Sequence, residues 1–322
     1  MSRTGKLSLV LVLLAALAAA CGDDTASDQG GNGLEKSTIN VAMLALVVNA
    51  PYYIAVQEKL FEAEGLTVRT QPVQQSTQAY PALKTGDVDV VFANNASMLL
   101  GHDKGDLRIN LVAEGSRLTP KFMGVLVMPD SPITDMKGLE GRSLSVHVLN
   151  NIQAITFDAI AAAGGVDPAK LRYRQVVFPQ MAATMQKGDL DAIHTQEPFL
   201  TDTIRKLGAR MVADGGAVPA TDLPLDGYFS LDTWTRQNPR TAAAFQRAIQ
   251  KASLIAADRA RVEAILPTYA RGIDPAVAKA MTMPAFGTSA SAERMQQLID
   301  LMVEQKRLTN KIDAGTIVFQ PS

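Results

Sequence analysis

Apolar residues come in two rhythms along this chain. STINVAMLALVV (Ser37 to Val48) is a nearly continuous apolar run of strand length, suited to a strand buried on both faces of a parallel sheet. PYYIAVQEKLFEAEG follows, with Ile54, Ala55, Leu60 and Phe61 on one helical face, Pro51 in the first turn and Gly65 past the end. LTVRTQPV then reads as a second strand, TQAYPALKTG as a second helix closed by Gly86, and VDVVFA as a third strand. The order β-α-β-α-β predicts a parallel sheet with helices packed on it. It restarts after Gly141 with RSLSVHV, the helix NNIQAITFDAIAAAGG with Asn150 as its N-cap, LRYRQVVF, PQMAATMQKG and LDAIHT. KFMGVLVMPDSP and GYFSLDTWTRQNP read as short strands that cross between the two units. The remainder is helical, opened at Asn238-Pro239 and Asp274-Pro275 and carrying a core stripe of Met295, Leu298, Ile299 and Met302. The expected architecture is α/β and two-lobed, each lobe a mostly parallel sheet flanked by helices. Residues 37–122 plus 226–322 form lobe I, and 123–225 form lobe II.

One phrase holds the same place in both lobes. LKTGDVDVVFANNAS (Leu83 to Ser97) and MQKGDLDAIHTQEPF (Met185 to Phe199) each end a helix, turn at Gly-Asp-x-Asp and enter the third strand. Gly86 and Gly188 suit the left-handed residue that stops a helix, and aspartate suits the turn. A hard-metal site would need more oxygen ligands gathered at one point, so the motif reads as structural and no metal is expected.

Ligands of open parallel sheets bind outside the carboxyl ends of the strands. The candidates there are Asn49, Tyr52 and Tyr53; Gln75 and Ser76; Asn94, Asn95 and Ser97; Asn150 and Asn151; and Glu197. Amides, hydroxyls, tyrosines and one carboxylate can orient a small polar solute. Plainer roles stay open: the asparagines can cap the helices that follow, one tyrosine can pack in the core, and Glu197 can join the lobes or a salt bridge. His147 and His194 lie near the same edge, where a structural role is the simpler reading. Arg117 is the candidate partner for an anion.

Charge narrows the partners. Lys and Arg number 31 against 32 Asp and Glu in 322 residues, with no basic tract, which argues against nucleic acid. Arg3 and Lys6 precede the apolar run Leu7 to Ala20, which ends in small residues before Cys21. That run is short of the roughly 20 apolar residues that span a bilayer and reads as a signal peptide over residues 1–20. The segment resembles a bacterial lipoprotein precursor, with Ala18 where that pattern usually has Leu. The resemblance implies cleavage before Cys21 and its lipidation. Cys21 is the only cysteine, so it has no disulfide partner in the chain. The polar, Gly-rich GDDTASDQGGNGLEK after it is expected to be a tether, over residues 21–36.

NAPYYIAVQEKLFEAEGLTV, ALKTGDVDVVFAN, DSPITDMKGLEGRSLSV and KGDLDAIHTQEPF occur in that order. Together they resemble the solute-binding proteins of ABC importers for sulfonates, taurine, nitrate and thiamine pyrimidine precursors. The likeness covers essentially the whole mature chain. It departs at Lys59, usually Gly in that family, and at Leu149-Asn150-Asn151, where many members have a Gly/Ser-rich turn. The resemblance implies a type II periplasmic-binding-protein fold that closes on its solute. It also implies an extracytoplasmic monomer, anchored to the cell membrane by lipid, that serves an ABC permease and, through it, a cytoplasmic ATPase. It places Pro51-Tyr52-Tyr53 and Asn94-Asn95 on the first-lobe cleft loops and Glu197-Pro198 on the second-lobe motif.

Few basic residues occur in the cleft loops, which favours a pyrimidine-like heterocycle. An alkanesulfonate at the start of the Asn150 helix comes second. No cofactor is expected. Ser-His-Asp spacing, a phosphate-cradling Gly loop and a dinucleotide fingerprint are all missing, as is the cysteine-rich motif of pyrimidine-synthase relatives. An enzyme of the same fold, or a ligand-sensing receptor lipoprotein, is the alternative.

Overall fold

The computed structural model describes residues 33–270 and 272–321, so the expected signal peptide and Cys21 lie outside the described residues. Among the described residues no helix is long and apolar enough to cross a membrane. The strands are β1 (Thr38–Met43), β2 (Thr67–Pro72), β3 (Val90–Asn94), β4 (Ile109–Arg117), β5 (Met123–Val127), β6 (Ser143–Val146), β7 (Arg172–Gln175), β8 (Ala192–Gln196), β9 (Arg210–Asp214), β10 (Pro224–Leu231) and β11 (Ala285–Phe286). They form two sheets, of order β11-β4-β10-β3-β1-β2 and β7-β6-β8-β5-β9.

The two sheets follow one plan. β1 runs parallel to β2 and β3, as β6 does to β7 and β8. Beside β3 lies β10 and beside β8 lies β5, both antiparallel and both drawn from the crossing segments. Beyond them come β4 and β9, antiparallel again. Each sheet is therefore mixed, with a parallel half from the β-α-β-α-β unit and an antiparallel half that the crossings complete. Val41, Ala42, Val90 and Val91 are fully buried in the first sheet, as two-sided burial requires of such apolar strands. The helix Pro239–Ala256 packs on this lobe through Phe245, stacked on Phe61 at 5.3 Å. Met295, Leu298, Ile299 and Met302 are buried on the helix Ala292–Glu304.

Gly-Asp-x-Asp recurs because it ties strands together. Gly86 and Gly188 have φ of 82° and 81°, where a side chain is strained. The second aspartate then reaches back to the first strand of its lobe. The Asn40 N–H donates to Asp89 at 2.8 Å, and the Ser143 N–H donates to Asp191 at 2.8 Å. Asp89 also accepts from Lys36 Nζ and from Trp234 Nε1, both at 2.8 Å.

Several local expectations change. β1 stops at Met43, and the apolar run continues because Leu44, Leu46 and Val48 wall a cavity. The first helix is broken: Ala50–Gln57 and Leu60–Ala63 are separated by Lys59 at φ 54°. Asn151, and not Asn150, caps the helix Ile152–Ala163, and Asn150 is left-handed at φ 57°. Both departures from the resembled pattern thus include a conformation that favours glycine. The body begins within the stretch expected as tether: Leu34 is buried, and Glu35 accepts from Arg240 Nε at 2.8 Å and the Thr241 N–H at 2.9 Å.

Candidate ligand-binding site

A cavity of about 90 Å³ lies between the two sheets, walled by both lobes at the carboxyl ends of their parallel strands. Lobe I contributes Gln75, Ser76 and Thr77 after β2, then Asn94 and Ser97 around the end of β3. Lobe II contributes His147 after β6, Asn151 and Gln153 at the next helix start, Phe178 after β7, and Gln196 at the end of β8. Phe178 opens the helix Phe178–Gln186, and the His147 ring stacks on it at 4.3 Å, the ring planes nearly parallel. Gln153 is held at both ends of its amide. It accepts from the His147 N–H at 2.7 Å and donates to the His194 carbonyl at 2.6 Å, fixing the post-β6 loop against β8.

Of the expected contacts, Gln75, Ser76, Asn94, Ser97 and Asn151 line this cavity. The others are employed elsewhere. Tyr52 is sealed in the core, its hydroxyl sharing a 2.8 Å hydrogen bond with Thr70. Tyr53 stacks on Tyr269 at 3.8 Å. Asn49 is fully buried and donates to the Leu44 carbonyl, bracing the cavity wall from behind. Asn95 is fully buried, one residue inside the helix Asn95–Asp103. Asn150 is exposed and accepts from Arg307 at 2.5 Å. Arg117 pairs with Glu114 at 3.3 Å and with Asp222, so it is not a cavity anion partner.

Glu197 takes the lobe-joining role. It accepts from Thr201 of its own lobe and, at 3.1 Å, from the Thr282 N–H in the segment leading to β11. Further hydrogen bonds cross between the lobes, among them Gln305 Nε2 to the Ile155 carbonyl at 2.7 Å. Asn151 donates to Ser97. Arg307 donates to Asp158 at 2.8 Å, while Thr309 and Asn310 next to it hold Asp103 of lobe I.

A model of the NMT1/THI5-like family matches residues 47–261. The chain belongs to that family. A protein of Bacillus subtilis (strain 168) named for binding aliphatic sulfonates is 24% identical, covering 96% of this chain and 93% of its own. The crystal structure of the periplasmic aliphatic sulphonate binding protein SsuA from Escherichia coli matches with a TM-score of 0.73 at 17% identity, over 89% of this chain and 93% of that one. The periplasmic nitrate-binding protein NrtA from Synechocystis PCC 6803 matches with a TM-score of 0.72 at 15% identity, over 88% and 85% of the two chains.

Two residues of this NMT1/THI5-like cleft escaped the strand-end rule. Leu225 and Asp226 also line the cavity. They lie at the start of β10, and because β10 is antiparallel its start meets the end of β3, with Asp226 opposite Asn94. Asp226 is 5% exposed, and its Oδ1 accepts from the Ser116 N–H at 2.8 Å. Burial pushes its carboxyl well above the usual range; the Ser116 hydrogen bonds oppose the shift, and the nearby Glu114 adds to it. Burial also holds the His147 imidazole below its ordinary value, so the ring is neutral near pH 7.

Proposed function

We propose that this NMT1/THI5-like protein is the extracytoplasmic solute-binding component of an ABC importer. It captures a small polar organic solute between its lobes and passes it to a membrane permease energised by a separate ATPase. One observation carries the reading: the cavity is walled by side chains from both lobes, so a solute there would favour the closed arrangement through contacts that opening would break. The names of the sulfonate- and nitrate-binding relatives support it. Gln75, Ser76, Asn94, Ser97 and Asn151 supply the polar contacts, and a pyrimidine-like heterocycle ranks ahead of an alkanesulfonate. Cys21 carries the lipid that tethers the protein to the membrane. The role is binding without turnover.

A thermal-shift screen of the purified protein tests this. A ligand at about 100 Kd stabilises its binder by about 2.7 kcal/mol. A saturable hit with one-to-one stoichiometry, weakened about tenfold by Gln75→Ala, is expected. Chemical conversion of the bound compound would overturn the reading.

A further inference from the structure

We infer that Asp226 selects the solute: the cavity takes a molecule presenting an N–H donor, as an amino or ammonium group, and rejects one whose only polar group is an anion. The inference rests on solute capture in this cleft and names what is captured. Among the described residues lining the cavity there is no Lys or Arg, and Asp226 is the one carboxyl group. A carboxylate offers roughly four acceptor sites. The Ser116 amide fills one, and the ionised group, which lines the cavity, would keep further acceptor sites for a solute donor.

No cation among the described residues lining the cavity offsets its burial, which favours the protonated group until a cationic donor arrives. Arg294 and Arg117 are both committed to Glu114, Arg294 at 2.6 Å. Arg117 is shared with Asp222 as well. At two helix starts an asparagine cap takes up part of the N–H set that would otherwise attract an anion. Asn94 Oδ1 accepts from the Ala96 and Ser97 amides at 3.0 and 3.4 Å, and Asn151 Oδ1 accepts from the Ile152 amide at 2.6 Å. The chain also keeps room for this carboxyl. A Cβ at Gly115 would stand 2.5 Å from Asp226 Oδ1, so glycine at that position lets the side chain occupy its place. An anion entering here would lose its hydration beside a carboxyl group with no cation to meet it. An ammonium donor would favour the ionised carboxylate and replace water with a charge-assisted hydrogen bond.

The test is a size-matched pair of panels, titrated into the purified protein by thermal shift and calorimetry. One holds small amines and amino-substituted nitrogen heterocycles; the other holds alkanesulfonates, carboxylates and nitrate. The expected result is saturable binding confined to the first panel, with the best hit weakened at least tenfold by Asp226→Asn. The panel ranking on the unaltered protein decides the matter even where that variant does not fold. Tighter binding of the anions, or an amine hit indifferent to Asp226→Asn, overturns the assignment and leaves solute capture standing. Silence from both panels overturns both.

Discussion

His194 sits in β8 fully buried, its ring 5.2 Å from that of Phe157, with no hydrogen-bond partner for either nitrogen. Burial alone lowers its pKa from 6.5 to about 3. Between those values the unfolded chain binds a proton that the folded chain does not. Stability therefore falls as pH drops through that window, by up to about 1.4 kcal/mol per pH unit. Melting followed from pH 7 to pH 5 is expected to show a shallower decline for His194→Leu than for the unaltered protein. An equal decline would mean that other groups govern the acid response. Single residues were the hardest to read from sequence. Position after a strand marks Tyr52 and Gln75 alike, yet only contacts distant in the chain decide that Tyr52 turns inward to Thr70 and Gln75 faces the cavity. Asp226 was invisible for a geometric reason. The rule about carboxyl ends passes over an antiparallel strand, whose beginning lies at that same edge.

At the scale of elements the chain is far more explicit. Period, glycine stops and Pro openings locate both β-α-β-α-β units, because each unit's strands are buried on two faces and its helices on one. Pairing partners of the crossing strands were not legible, since sheet order depends on where a long connection returns. The two aspartate ties give a quantitative contrast. Asp89 is buried and receives Lys36, Asn40 and Trp234, whereas Asp191 is half-exposed and serves Ser143 with a loose 3.6 Å contact to Arg142. Asp89→Ala is expected to cost about 3 kcal/mol, because several donors lose a buried partner, and Asp191→Ala about 1 kcal/mol. Urea denaturation of the two variants measures both costs; the reverse order would refute the account.

Across the whole molecule, hydrogen bonds at Ser97–Asn151, Glu197–Thr282, Gln305–Ile155 and Arg307–Asp158 brace the two lobes. Arg307 lies outside the cavity lining, so Arg307→Ala removes a brace without altering any of the proposed solute contacts. That variant is expected to open in solution, with a larger radius of gyration by X-ray scattering and a solute affinity reduced severalfold. An unchanged scattering profile would show the link to be incidental. The sheet order also sets a timetable for synthesis. All five strands of the second sheet fall within residues 123–214, a continuous stretch, while β3 and β4 of the first sheet are held apart by β10, which is not complete until Leu231. The half of the protein made first must wait, unpaired at its centre, for the half made second. Pulsed hydrogen exchange during refolding, or protection of nascent chains on the ribosome, should find β5 to β9 secured before β3 and β4.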